Sequence, residues 1–113
     1  QNHHVLTHTK GEEAKEKLAL IDRWHMEFYA HVVGQLRETG LLDTTTLVMG
    51  SGISDGDQHN YADLQVLIAG GGWQRGHFHF EGKRPLADLW LTLAQRAGVK
   101  AERFADSTGV LNL

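Results

Sequence analysis

Two short apolar runs, each ended by glycine, limit the sheet that this chain can build. Leu47–Met49 precedes Gly50 and Val66–Ala69 precedes three glycines, a pattern typical of strands buried on both faces. The residues between the runs are polar, which predicts a loop leaving the carboxyl end of a strand, where open α/β sheets bind ligands. A sheet of only two or three short strands has exposed edges, which predicts marginal stability or self-association.

Two amphipathic segments flank these runs. From Glu12 to Thr39 apolar residues recur every three or four positions without a proline, which predicts a long helix ending at Gly40. A second helix is predicted from Pro85 to Ala97. The sequence therefore predicts an α/β fold, namely part of a three-layer α/β/α sheet with a long N-terminal helix, few strands and a C-terminal helix.

The length of 113 residues predicts that this α/β fold is one domain over residues 1–113, and its composition, 41% apolar and 22% charged, is that of a globular chain. A net charge of -3 without a Lys/Arg run argues against a nucleic-acid partner, and no apolar segment approaches the length of about 20 residues that a membrane helix needs. The absence of cysteine excludes disulfides and thiolate metal sites. The start at Gln1, without methionine, indicates a piece of a longer protein.

Histidine is frequent, with 8 residues against 11 Lys plus Arg, which points to metal or proton chemistry. Imidazole together with carboxylate suits zinc, manganese or iron. The segment before Gly11, which carries three of the histidines, is predicted to be a loop. The candidate ligands lie in predicted loops or at strand ends: His3, His4, His8, Asp55, Asp57, His59, His77 and His79.

Several of these polar residues also have an ordinary structural interpretation. His77 and His79 alternate with two phenylalanines, which predicts a short strand with both imidazoles on one face, either as metal ligands or as the polar face of an edge strand. Ser51 and Ser54 are possible nucleophiles, but neither lies in a G-x-S-x-G motif, and hydrogen bonds within a turn are the favoured interpretation. The long predicted helix carries two more histidines, which are interpreted as structural or surface residues: His25 and His31.

The order and spacing of several motifs resemble the C-terminal third of a large uncharacterised bacterial family. Members carry a comparable long helix, a "YGSGMSDGNxHxH" loop, "LPxLLAGGG", a "GGRH" strand and a terminal "GDSTG" turn. Many members carry a twin-arginine export signal, so the resemblance implies an exported or periplasmic protein. The matching stretches cover nearly the whole chain: IDRWHMEFYAHVVGQL, GLLDTTTLVMGSGISDGDQH, LQVLIAGGG, GHFHF, PLADLWLTLAQRAGV and FADSTGVLNL.

That family in turn resembles a distant branch of the alkaline phosphatase and sulfatase superfamily, whose members hydrolyse phosphate or sulfate esters at a two-metal α/β site. The resemblance implies a divalent metal cofactor, which would be zinc, manganese, iron or calcium. It also implies that His4, His8 and either His77 or His79 serve one metal ion. Asp55 and His59 would serve the other.

This chain departs from the superfamily pattern at several positions. His4 stands where an aspartate is expected, the Asp-His pair is split into Asp55 and His59, and the nucleophile is absent. One expectation is therefore the C-terminal portion of a metal-dependent hydrolase, inactive without the missing N-terminal part of the protein. The alternative is a non-catalytic binding or scaffold domain that retained the sheet. Either is compatible with a homo-oligomer formed through the long helix.

Overall fold

The structure, a computed structural model, describes residues 2–113, which form one unit that ends at Trp73 and another, Gln74–Leu113. The first unit contains helices α1 (His3–Thr7) and α2 (Glu12–Glu38) and strands β1 (Thr46–Gly50) and β2 (Val66–Gly70). The second unit contains helix α3 (Ala87–Arg96). The protein is thus a small mixed α/β structure with a long helix, a two-stranded antiparallel sheet and a C-terminal helix.

Helix α2 confirms the long amphipathic helix that the sequence predicts. Glu12 and Glu13 lie in its first turn, where negative charge complements the helix dipole. Ala14 is buried, and the hydroxyl of Tyr29 donates a hydrogen bond to the carbonyl oxygen of Leu47 over 3.1 Å. That bond joins α2 to β1. No helix within residues 2–113 is both long and apolar enough to span a membrane.

Strands β1 and β2 pair antiparallel, with Thr46 opposite Gly70 and Val48 opposite Ile68. The prediction that both runs are buried on both faces is wrong, because their residues are half-buried or exposed, and Leu67 is 42% exposed. The physical reason is the size of the sheet. In a two-stranded sheet each strand has one neighbour and one open edge, so the sheet is too small to bury its own residues on both faces.

The glycine turn at the end of β2 has a backbone conformation that favours glycine. The φ angles of Gly70, Gly71 and Gly72 are 78°, 61° and 66°, all in the region that residues with a Cβ rarely adopt. A Cβ on Gly70 would also collide with the carbonyl oxygens of Leu42 and Thr45. The turn therefore requires glycine both for its φ angles and for the close approach of the chain.

In the second unit, α3 confirms the predicted C-terminal helix. Ala87, Leu89 and Leu91 are buried on it. The predicted strand over residues 77–80 is wrong, because that segment forms neither helix nor strand and His77 and His79 are exposed. Alternation of polar and apolar residues favours a strand only where a neighbouring strand accepts its backbone hydrogen bonds, and within residues 2–113 this segment pairs with no strand.

A buried carboxylate connects α3 to the end of the chain. Asp88 has 0% exposure and accepts hydrogen bonds from Arg84 Nη2 at 2.7 Å, the Thr108 backbone N–H at 2.6 Å and the Gly109 backbone N–H at 3.2 Å. Thr92, one turn along α3, accepts a further bond from a backbone N–H of the same terminal segment. The buried carboxylate is therefore the acceptor for one charged side chain and for two backbone N–H groups of the terminal segment.

Candidate metal centre

The N-terminal histidines lie on a helix that the sequence prediction assigned to a loop. The Asn2 side chain accepts a hydrogen bond from the Val5 backbone N–H at 2.9 Å, which satisfies one of the free donors at the start of α1. Leu6 is 3% exposed, and α1 packs against α2. The cap and the buried leucine together stabilise a helix too short to form alone. The loop prediction was therefore wrong.

Because α1 is helical, His4 and His8 lie one turn apart on the same side. Residues four positions apart on a helix are neighbours, whereas in an extended chain they would be far from each other. The two rings meet edge to face with their centroids 4.8 Å apart. His8 is the C-cap residue, directly after the last helical residue, Thr7.

The polar loop after β1 forms a tight turn that places a third histidine beside this pair. Asp55 and Asn60 face each other through backbone hydrogen bonds, and Asp55 Oδ1 accepts from the backbone N–H groups of Asp57 at 2.9 Å and Gln58 at 3.1 Å. His59 then adopts a φ angle of 53°. Asp55, a candidate ligand from the sequence, here holds the turn with that oxygen.

Close approach of α1 to this loop depends on a small residue. A Cβ on Gly56 would lie 2.8 Å from Cγ2 and 2.9 Å from Cβ of Thr7. Real side chains do not tolerate such distances, so glycine permits the end of α1 to contact the loop. The contact brings His8 and His59 within reach of one another.

His4, His8 and His59 form a cluster in which one potential ligand nitrogen of each residue lies within 4.8 Å of the other two. The Nε2 atoms of His8 and His59 are 3.2 Å apart. All three side chains are exposed. The structure therefore groups His59 with the pair on α1, whereas the resemblance had assigned it with Asp55 to a separate metal ion.

The spacing of the two Nε2 atoms suits one tetrahedral metal ion. Two imidazole nitrogens bound to zinc at about 2.0–2.1 Å with a tetrahedral angle lie about 3.3–3.4 Å apart. The Nε2 atoms of His8 and His59 are 3.2 Å apart, and a ligand nitrogen of His4 lies within 4.8 Å of theirs. Without a metal ion, the same pair forms a hydrogen bond in which one neutral imidazole donates to the other.

A carboxylate and an ammonium group lie beside the cluster. Asp57 Oδ1 is 3.3 Å from His8 Nδ1, and Asp57 Oδ2 forms an ion pair with the Lys10 ammonium group. The hydrogen bonds from Lys10 and His8 hold the pKa of Asp57 below its usual value, and the bond to Asp57 raises the pKa of Lys10. Asp57 was among the candidates from sequence, whereas Lys10 was missed because no motif marks it.

The remaining sequence candidates have local roles or lie elsewhere. Ser51 Oγ accepts from the Ile53 backbone N–H at 3.2 Å, and Ser54 Oγ donates to the Asn60 carbonyl oxygen at 3.1 Å, as the structural interpretation of these serines predicts. His77 and His79 belong to the second unit, where they are exposed.

Comparison with protein-family models, with curated proteins and with solved structures found no match for this chain. The chemistry of the residues in the cluster is therefore the ground for a proposal of function.

Proposed function

We propose that this chain binds one divalent transition-metal ion through His4, His8 and His59, as the metal-holding C-terminal portion of a phosphate or sulfate ester hydrolase. The observation that carries the proposal is the convergence of three imidazoles from two separate segments, α1 and the loop after β1. Exposed histidines have no general reason to converge, because in their protonated state they repel one another.

The donor set narrows the choice of metal. Neutral imidazole suits zinc, iron and copper, whereas calcium prefers six to eight oxygen ligands. Three imidazoles from this chain therefore favour zinc over calcium. A site with three protein ligands also retains an open position, as catalytic zinc sites do, whereas structural sites are closed by a fourth protein ligand.

An open position in a three-histidine site is compatible with hydrolysis. A metal ion bound there would polarise an ester oxygen and lower the pKa of bound water. His4, His8 and His59 would hold that ion. Because all three side chains are exposed, the open position of the ion would be accessible to a substrate. The substrate class, phosphate or sulfate esters, comes from the resemblance to the phosphatase and sulfatase superfamily.

The same proposal assigns the missing parts of the site to the rest of the protein. In it, a preceding N-terminal part of an exported protein supplies the nucleophile, further metal ligands and the additional strands of a three-layer sheet. The chain described here would then bind metal without hydrolysing esters. Open edges on both β1 and β2 are compatible with such additional strands.

Metal binding to the purified chain tests the proposal. We expect equilibrium dialysis with zinc, followed by elemental analysis, to give about one zinc per chain. Loss of a direct ligand in His8→Ala or His59→Ala should weaken binding by more than about 100-fold, since loss of outer-shell partners alone costs about 10–100-fold. His31→Ala, which removes an exposed histidine of α2, is the matched control and should bind as the wild type does.

Two results would contradict the proposal. One is a wild-type chain that takes up no zinc, manganese or iron from a chelator-free buffer. The other is undiminished binding in both ligand variants. His77→Ala and His79→Ala test separately whether the late histidine of the superfamily pattern contributes here, since the resemblance assigns one of them to the same ion as His4 and His8.

A second candidate function is self-association through α2, in a scaffold without catalysis. Trp24 and Phe28 are 59% and 57% exposed, and their rings stack with centroids 5.8 Å apart. Leu20, one turn earlier, is 66% exposed, so the three form an apolar ridge of a kind that usually finds a partner. Sedimentation velocity should then show a dimer of the wild type that the substitution Trp24→Ser dissociates. A wild-type protein that is monomeric at all concentrations would exclude self-association through α2.

A further inference from the structure

We propose that Asp57 positions His8 for metal binding, by accepting a hydrogen bond from Nδ1 and so directing the Nε2 lone pair into the cluster. This inference rests on the proposed metal site and adds a residue to it. The observation behind it is that the two nitrogens of the His8 ring have different partners. Nδ1 lies 3.3 Å from Asp57 Oδ1, and Nε2 lies 3.2 Å from His59 Nε2.

A neutral imidazole carries its proton on either nitrogen, and a ligand nitrogen must be the unprotonated one. A carboxylate next to Nδ1 accepts a hydrogen bond, so it favours the tautomer with the proton on Nδ1. The unprotonated nitrogen of His8 is then Nε2, which is the atom that faces His59. Histidine ligands in metal sites commonly have such a carboxylate partner, which fixes the ring and increases its basicity.

Asp57 is itself held in place from two sides. Its backbone N–H donates to Asp55 Oδ1, and its second carboxylate oxygen forms the ion pair with Lys10. The two carboxylate oxygens are thus divided between His8 and Lys10. Lys10 therefore keeps Asp57 as the partner of the His8 ring and disfavours its rotation into the cluster as a fourth ligand.

Two measurements on Asp57→Ala test this role. Zinc affinity, measured by competition with a chromophoric chelator, should fall by about 10–100-fold, the loss typical of an outer-shell partner. Asp43→Ala is the matched control, because it removes one negative charge from an exposed residue of the same unit and should leave the affinity unchanged. Asp57→Asn keeps an oxygen that can accept from Nδ1–H and should lose less affinity than Asp57→Ala.

The second measurement reads the tautomer directly and needs no metal. Nitrogen-15 NMR of metal-free protein should show His8 protonated on Nδ1 in the wild type and mainly on Nε2 in Asp57→Ala. An unchanged tautomer, or an affinity within about threefold of the control, would overturn the role of Asp57. A wild type that binds no zinc would instead contradict the proposed function, and the NMR result would still decide the position of the proton.

Discussion

Zinc is expected to raise the melting temperature of this protein, and His8→Ala is expected to abolish that rise. The ligands come from α1 and from the loop after β1, so they converge only when the first unit is folded. A ligand that binds the folded state alone, at a free concentration of about 1,000 times its Kd, adds about 4.1 kcal/mol to the free energy of unfolding. For a unit of this size that corresponds to roughly 15 °C or more, measurable by scanning calorimetry.

Controls separate binding at the cluster from general effects of zinc. His31→Ala should melt higher with zinc, as the wild type does, because its ring lies on α2 outside the cluster. Adding a chelator should return the wild type to its metal-free melting temperature. An equal rise in His8→Ala and the wild type would show that zinc acts elsewhere and would contradict the assignment of His8 as a ligand.

Local sequence patterns predicted the two longer helices, α2 and α3, but not the short helix α1. The apolar repeat of α2 and the glycines after β2 act within a few residues, so they can be read without knowledge of the rest of the chain. Predictions that depend on distant partners were less successful. Residues 77–80 alternate as a strand does, yet they form no strand, and β1 and β2 lack the enclosure on both faces that their apolar runs predict.

In the candidate metal site, too, the residues could be predicted from local sequence, whereas their grouping depends on distant contacts. His4, His8 and His59 were all candidates from sequence, but their grouping depends on α1, which the sequence prediction missed. The signal that could have revealed α1 is Asn2, a good N-cap residue three positions before Val5. The approach of α1 to the loop at Gly56, and the ion pair of Lys10 with Asp57, connect residues nearly 50 positions apart, and a single sequence does not show such contacts.

The sequence analysis assigned no role to Asp88, although it is the most completely buried charged residue described in the second unit. An acidic residue in the first turn of a helix is ordinarily explained by the helix dipole, so its sequence position gave no reason to expect burial. Burial raises the pKa of this carboxyl, but the hydrogen bonds from Arg84, Thr108 and Gly109 outweigh that effect and hold the pKa below its usual value. The folded state therefore favours the ionised form.

Replacing this carboxylate should strongly destabilise the second unit. Asp88→Ala leaves Arg84 and the backbone N–H groups of Thr108 and Gly109 without their acceptor, so we expect the melting temperature to fall by about 10 °C or more. Hydrogen exchange at Thr108 and Gly109 should accelerate most, because their amides lose the bond directly. The matched control is Asp106→Asn, an exposed acid of the same unit, which should change neither measurement.

The pH dependence of stability gives an independent test of the same carboxylate. A group whose pKa is lowered by folding stabilises the protein fully above its unfolded pKa, which is about 3.9 for Asp, and that contribution is lost as the pH falls through the folded value. Wild-type protein should therefore lose stability as the pH decreases below about 4. Asp88→Asn, which carries no titrating group there, should start less stable at neutral pH and lose less on acidification. Parallel acid titrations of the two proteins would show that Asp88 does not hold the C-terminal segment through its charge.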